Sequence, residues 1–172
     1  IITTFGKKEQ FQYTKLNASL SSVTRREEGS TSEELFQRKT MSTHYLSWLA
    51  TKWLNIGLFE STLWQTEDSA GTKPLQWQQF NPIIGVNTVT TGFNNINHTV
   101  VGSNLKLKLP FKILLYNQFV YDGGSKFGYQ VGVRYYGINN LTLQVEYNNV
   151  QPYVYSSDVR LQTYSNYNES LA

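Results

Sequence analysis

The sequence predicts an all-β fold: a transmembrane up-and-down antiparallel β-barrel, of which this chain supplies a part. Three observations predict it. Several segments alternate apolar and polar residues with period two, as a strand between two unlike surroundings does. Long and short connections follow one another in turn, the asymmetry of outer-membrane barrels. The aromatic load is high, with 12 Tyr, 9 Phe and 4 Trp among 172 residues against 1 Met and no Cys, and Tyr and Trp suit boundaries that are apolar at one end and wet at the other.

Taken in order, residues 10–24 read as a strand with a phase slip near Lys15, where a bulge would fit. Segment 44–52 puts Leu46, Trp48 and Ala50 on one face, and 54–64 carries Ile56 and Leu58 before its alternation fades. In 99–109 the odd positions are Thr99, Val101, Ser103, Leu105, Leu107 and Leu109, set against Asn104, Lys106 and Lys108. Segment 111–122 is apolar on both faces through Ile113, Leu114, Leu115 and Tyr116. Segments 127–135 and 141–148 alternate cleanly, and 161–167 is the weakest strand candidate. Leu105, Leu107, Val131, Val133, Leu143 and Val145 are expected to face lipid, and Lys106, Lys108, Gln130, Arg134, Gln144 and Glu146 the lumen. Tyr135, Tyr136, Tyr147, Tyr153 and Tyr155, near strand ends, are expected to form interfacial girdles.

The connections carry as much information as the strands. Residues 27–39 and 66–97 are long, whereas the joins at Trp53, 109–111 and 137–140 are tight, with 122–126 and 150–160 completing the series. Short turns are expected at the periplasmic end and long loops outside. Within the longest gap, 75–93 holds Trp77, Phe80, Asn81-Pro82, Ile83, Ile84 and Val86. Such a stretch is either a loop folded back into the barrel or a pair of strands run together, because a gap of that length without structure is unusual.

Composition narrows the chemistry. A net charge of +3, from 15 basic and 12 acidic residues, is too weak and scattered to indicate nucleic acid. The lack of Cys excludes disulfides and thiolate chemistry. No apolar run is long enough for a transmembrane helix, and the first ten residues lack the pattern of a signal peptide. His44 and His98 are far apart with no carboxylate at ligand spacing, so no metal site is expected. Glu60 is expected to face the lumen and pair with a Lys or Arg there, since nothing brings it to Asp122 as an acid/base couple. Neither a nucleophile elbow nor a phosphate-binding glycine loop occurs, and the expectation is a single non-enzymatic domain over 1–172 without a cofactor. Four Asn-x-Ser/Thr triplets, at Asn17, Asn97, Asn140 and Asn168, are what chance gives a chain of this composition.

From His44 onward the phrases gain a family flavour. A His and a Trp share one strand, and Trp53-Leu54, Ile56-Gly57-Leu58 and Glu60 follow on the next. Further on come Phe80-Asn81-Pro82, Lys126-Phe127-Gly128-Tyr129-Gln130, the strand 141–147 leading into Asn149-Val150-Gln151-Pro152-Tyr153, and the segment 164–171. Over 40–172 the chain resembles the Wzi-type capsule-assembly family, in particular the RemB-like proteins associated with gliding motility. The resemblance implies a wide outer-membrane barrel that binds or displays polysaccharide at the cell surface, or serves as an accessory of gliding or secretion machinery alongside other outer-membrane proteins. The chain departs from that pattern in being short and in lacking a terminal aromatic, so it is expected to be a piece of a larger barrel.

Two sets of residues are candidates for binding. Lys106, Lys108 and Arg134 would form a basic patch for an acidic polysaccharide, with the plainer alternative that they are solvated residues balanced by Glu146 and Asp122. Trp77, Phe80, Tyr153 and Tyr155 would be stacking platforms for sugars, or plain interfacial aromatics. Two further functions stay open, a passive outer-membrane pore and a soluble ligand-binding barrel such as a lipocalin.

Overall fold

The computed structural model describes residues 1–23, 36–68, 71–74, 76–93, 97–157, 163–166 and 169–170. The long strands are β1 (Ile2–Phe5), β2 (Phe11–Val23), β3 (Phe36–Leu49) and β4 (Leu54–Gln65). After a two-residue pair, β5 (Glu67–Asp68) and β6 (Gly71–Thr72), come a short helix α1 (Val86–Thr91) and β7 (His98–Leu109). Next are β8 (Ile113–Tyr121), β9 (Phe127–Ile138) and β10 (Leu141–Val150). A last small pair is β11 (Ser165–Asn166) with β12 (Glu169–Ser170). One sheet of eight strands runs β1-β2-β3-β4-β7-β8-β9-β10, every neighbouring pair antiparallel. The fold is therefore all-β with up-and-down topology, and β1 and β10 are not paired with each other among the described residues.

The alternation of connections predicted from the sequence holds. Turns at 6–10, 50–53, 110–112 and 139–140 lie at one end of the sheet, and 66–97 and 122–126 at the other. Lys8 and Glu9 in the first turn, and Phe111 and Lys112 in the third, have φ of 59°, 54°, 62° and 60°. Two successive left-handed residues give a hairpin the twist its strands need, and Asn-Gly is the usual solution. Side chains with a Cβ cost about 1–2 kcal/mol each in that conformation.

Cross-strand partners point to the same side of a sheet, so the register sorts the residues into two faces. Leu105, Leu107, Val131, Val133, Leu143 and Val145 share one face with Ile56, Leu58, Ile113 and Leu115. The opposite face carries Lys106, Lys108, Gln130, Arg134, Gln144 and Glu146. The apolar face is open toward the turn end: Val131 is 47% exposed, Leu143 50% and Val145 75%.

Several sequence expectations change. No bulge interrupts β2, which pairs with β3 without a register shift from Phe11–Trp48 to Val23–Phe36. The phase slip at Lys15 has another cause: toward the loop end both faces of β2, β3, β4 and β7 are covered, so neither face needs to be uniformly apolar. One cover is the segment 76–91, which lies on the same side as the apolar face. The other is formed by 151–157 and 163–166, whose Val154 and Tyr164 join Leu20, Leu63, Val100 and Val120 in the buried core on the polar side. Residues 36–39, read as loop, belong to β3, while 24–35 lie outside the described residues. The long connection holds the small pair β5–β6, helical turns at Trp77–Phe80 and α1, and its segment 76–91 folds back over the apolar side of the sheet. Residues 163–166 are not a strand of the main sheet, because Tyr164 is needed as a core side chain; 161, 162 and 167 lie outside the described residues. The eighth strand is instead Ile2–Phe5, too short to show a period.

Candidate functional site

The polar face is built in rows, each a set of residues placed opposite one another by the strand register. Nearest the turns run Lys108, Leu114, Arg134 and Gln144. The next row is Asn55, Lys106, Tyr116, Gly132 and Glu146. A third crosses seven strands as Gln12, Ser47, Gly57, Asn104, Gln118, Gln130 and Asn148. Amides and hydroxyls offer both donors and acceptors, so this row presents hydrogen-bonding groups on six of its seven strands, Gly57 leaving room for the Tyr45 ring.

Four of the residues predicted as a site come together here. Lys106 and Lys108 are exposed and line a cavity of about 400 Å³ with Lys52, Trp53, Tyr45, Ser47 and Asn55. Arg134 stands one strand pair away, where its Nε donates to Gln144 Oε1 (2.7 Å) and its guanidinium lies over the Tyr116 ring at 5.9 Å. Glu146 accepts from the Tyr116 hydroxyl and from Gln130 Nε2 (3.0 Å). Asp122 does not balance these cations: it is buried at the loop end, 3.9 Å from Lys126 Nζ, and its Oδ1 accepts from Gly124 N (2.9 Å). The cavity thus combines three ammonium groups, neutral hydrogen-bonding groups and two aromatic rings, a set suited to an anionic sugar.

The predicted aromatic platforms do not join that site. Trp77 is 70% exposed but belongs to the segment covering the other face. Tyr153 is 70% exposed at the loop end, with Lys126 Nζ 6.0 Å from its ring centre. The expected tyrosine girdle also divides. Tyr135 and Tyr147 lie on the apolar face, whereas Tyr136 hydrogen-bonds Arg134 (3.3 Å) and Tyr155 packs edge-on against Tyr164.

A second polar cluster was not anticipated. On the apolar side, beneath 76–91, the Tyr13 hydroxyl and His44 Nδ1 are hydrogen-bonded at 2.7 Å. Lys15 Nζ donates to Asn81 O, and Ser42 Oγ to Gln79 O (3.2 Å). Glu60 does not face the lumen or meet a cation as expected from the sequence; its carboxylate accepts from Gly85 N (2.8 Å), Thr88 N (2.7 Å) and Thr88 Oγ1 (2.5 Å). These are the free amides at the start of α1, which any short helix must satisfy from outside. The arrangement has the look of acid/base machinery, but His44, Glu60, Thr62 and Thr99 have no exposed surface. Its hydrogen bonds pin 76–91 to the sheet. The signal that could have revealed it was parity: His44 and Glu60 occupy the positions of β3 and β4 that are otherwise Leu46, Trp48, Ile56 and Leu58.

At the loop end of the polar face the cover formed by 151–157 and 163–166 is fixed similarly. The Tyr164 hydroxyl donates to Ser61 O (2.6 Å) and His98 O (3.2 Å), and Lys39 Nζ donates to Thr163 O (2.6 Å) and Ser165 Oγ (3.1 Å). Burial lowers the Lys39 ammonium to about 8 and raises the Tyr164 phenol. Among the described residues no group of three or more His, Asp or Glu is placed to hold a metal ion, and no helix is long and apolar enough to cross a membrane. No family model, curated protein or solved structure matches the chain.

Proposed function

We propose that the chain forms part of the wall of a bacterial outer-membrane β-barrel whose polar face holds an acidic surface polysaccharide, without catalysing a reaction on it. The observation that carries this is the division of the sheet. One face is apolar and open to its surroundings, and the other is crossed by rows of amides and hydroxyls beside Lys52, Lys106 and Lys108. A soluble barrel would hide the apolar face inside. Along β9 that face reads Phe127, Tyr129, Val131, Val133 and Tyr135, aliphatic in the middle and aromatic at both ends. At about 3.3 Å per residue the stretch is roughly 26 Å long, and at a tilt of about 40° it crosses roughly 20 Å, close to an outer-membrane apolar band. On this reading the long connections lie at the cell surface and the tight turns at the periplasmic end, the usual asymmetry of such barrels.

The cover over the polar face at the loop end favours a lumen that holds a ligand over a passive pore. The test is binding of detergent-solubilised protein to an acidic and to a neutral polysaccharide of similar size. The acidic polymer should bind more tightly, and K106Q/K108Q should weaken it about tenfold or more at low salt, since each interaction is charge-assisted and screened. Equal retention of the neutral polymer, unaffected by K106Q/K108Q, would discard the polysaccharide reading. Recovery of the protein in the soluble fraction without detergent would discard the membrane reading.

A further inference from the structure

The turn end of the sheet carries a charge pattern that the polar face does not use. Lys7 and Lys8 sit in the β1–β2 turn and Lys112 in the β7–β8 turn, all exposed and none of them lining the polar-face cavity. Glu9 is the one acidic residue in the turns of this end, whereas Glu67, Asp68 and Asp122 lie at the other. Beside the lysines stands aromatic surface on the apolar face. Phe5, Phe11 and Trp48 stack in series with ring centres 5.3 and 5.8 Å apart, and Phe111 in the neighbouring β7–β8 turn is 85% exposed. The β7–β8 turn retains Phe111 and Lys112 in left-handed conformations where Asn-Gly would be relaxed.

Exposed rings next to ammonium groups match one kind of surface, the boundary of a lipid leaflet, where rings sit among headgroups and lysines extend to phosphates. The predominance of lysine makes the match specific to an anionic leaflet. We infer that this rim docks on anionic phospholipid, with Lys7, Lys8 and Lys112 at the headgroup phosphates and Phe111 and Trp48 seated between headgroups. The inference rests on the membrane reading above and adds to it a lipid class and the residues that select it.

The experiment uses the full-length protein in nanodiscs of phosphatidylcholine and phosphatidylglycerol, reading by native mass spectrometry which lipids remain bound on extraction. The wild type should enrich phosphatidylglycerol several-fold, an enrichment that falls with salt. K7Q/K8Q/K112Q leaves the cavity lysines 52, 106 and 108 in place, and should bring the enrichment near parity with polysaccharide binding unchanged. A second variant, F111N/K112G, should raise thermal stability by relaxing the turn while lowering the enrichment. Parity in the wild type, or full enrichment in K7Q/K8Q/K112Q, overturns the inference. So does capture of a soluble acidic protein by wild type in neutral nanodiscs that K7Q/K8Q/K112Q loses, which would assign the rim to a protein partner. Protein that never enters the membrane fraction fails the barrel-wall reading itself, whereas protein that enters and shows parity fails only the rim.

Discussion

Tyr116 reaches Glu146 by lying across the strand between them, and Gly132 is what lets it. Tyr116 and Gly132 are direct cross-strand partners, and a Cβ at Gly132 would fall 2.2 Å from Tyr116 Cζ. Gly132→Val should displace the ring, break its bond to Glu146 and cost about 1–3 kcal/mol, the usual penalty of overpacking; urea unfolding in detergent measures it. Glu60 is the corresponding residue on the other side. Glu60→Ala leaves the amides of Gly85 and Thr88 without their acceptor, at about 1–3 kcal/mol for the buried groups exposed to that loss, and faster proteolysis within 76–91 should accompany it. Lys39 gives a pH signature. Its ammonium is held at about 8 when folded, against 10.5 otherwise. The unfolded chain therefore binds more protons between those values, and this group's contribution makes stability rise with pH from about 8 to 10.5. K39M should flatten that part of the profile in thermal unfolding at graded pH.

At the scale of the element, what the sequence revealed depended on what each strand touches. β7, β9 and β10 have an apolar surrounding on one side and a polar one on the other over most of their length, so their faces were legible from period two alone. Lys106, Lys108, Arg134 and Glu146 could be placed on one face for that reason. The loop-end halves of β2, β3 and β4 are covered on both sides by segments far away in the chain, and there the pattern encodes packing partners that sequence spacing does not name. The apparent slip at Lys15 records the point where Lys15 turns from an open face to one covered by Asn81. Segment 163–166 misled for the same reason, since Tyr164 is apolar-periodic by accident of its role as a core plug. The faces themselves can be tested. Leu107→Arg or Val133→Arg should cost about 2–4 kcal/mol in a bilayer, against much less for Gln144→Arg on the polar face. Refolding equilibria into lipid vesicles would compare them, and equal costs would remove the assignment of lipid to the apolar face.

At the scale of the whole molecule the sheet is a curtain with two long edges. β10 offers ten residues at one edge and β1 four at the other. Even if the two met, most of β10 would keep unpaired N–H and C=O groups, and in lipid each such group costs several kcal/mol. Closure into a barrel in lipid would therefore call for further strands beside β1 or β10. A polypeptide limited to these 172 residues, refolded alone into detergent, should yield no heat-modifiable, protease-resistant monomer on unheated gels. Its open edges should instead recruit other strands and aggregate. The covers, 76–91 on one side and 151–157 with 163–166 on the other, bear on the same experiment, because they are pinned by hydrogen bonds to strands already present and do not depend on closure. Partial proteolysis of the aggregated material should then still protect the loop-end halves of β2, β3, β4 and β7 while cutting β9 and β10. A discrete closed monomer would instead show that β1 and β10 find each other, and the polar rows across the sheet would then line a narrow lumen filled by its own side chains rather than a wide one open to a polysaccharide.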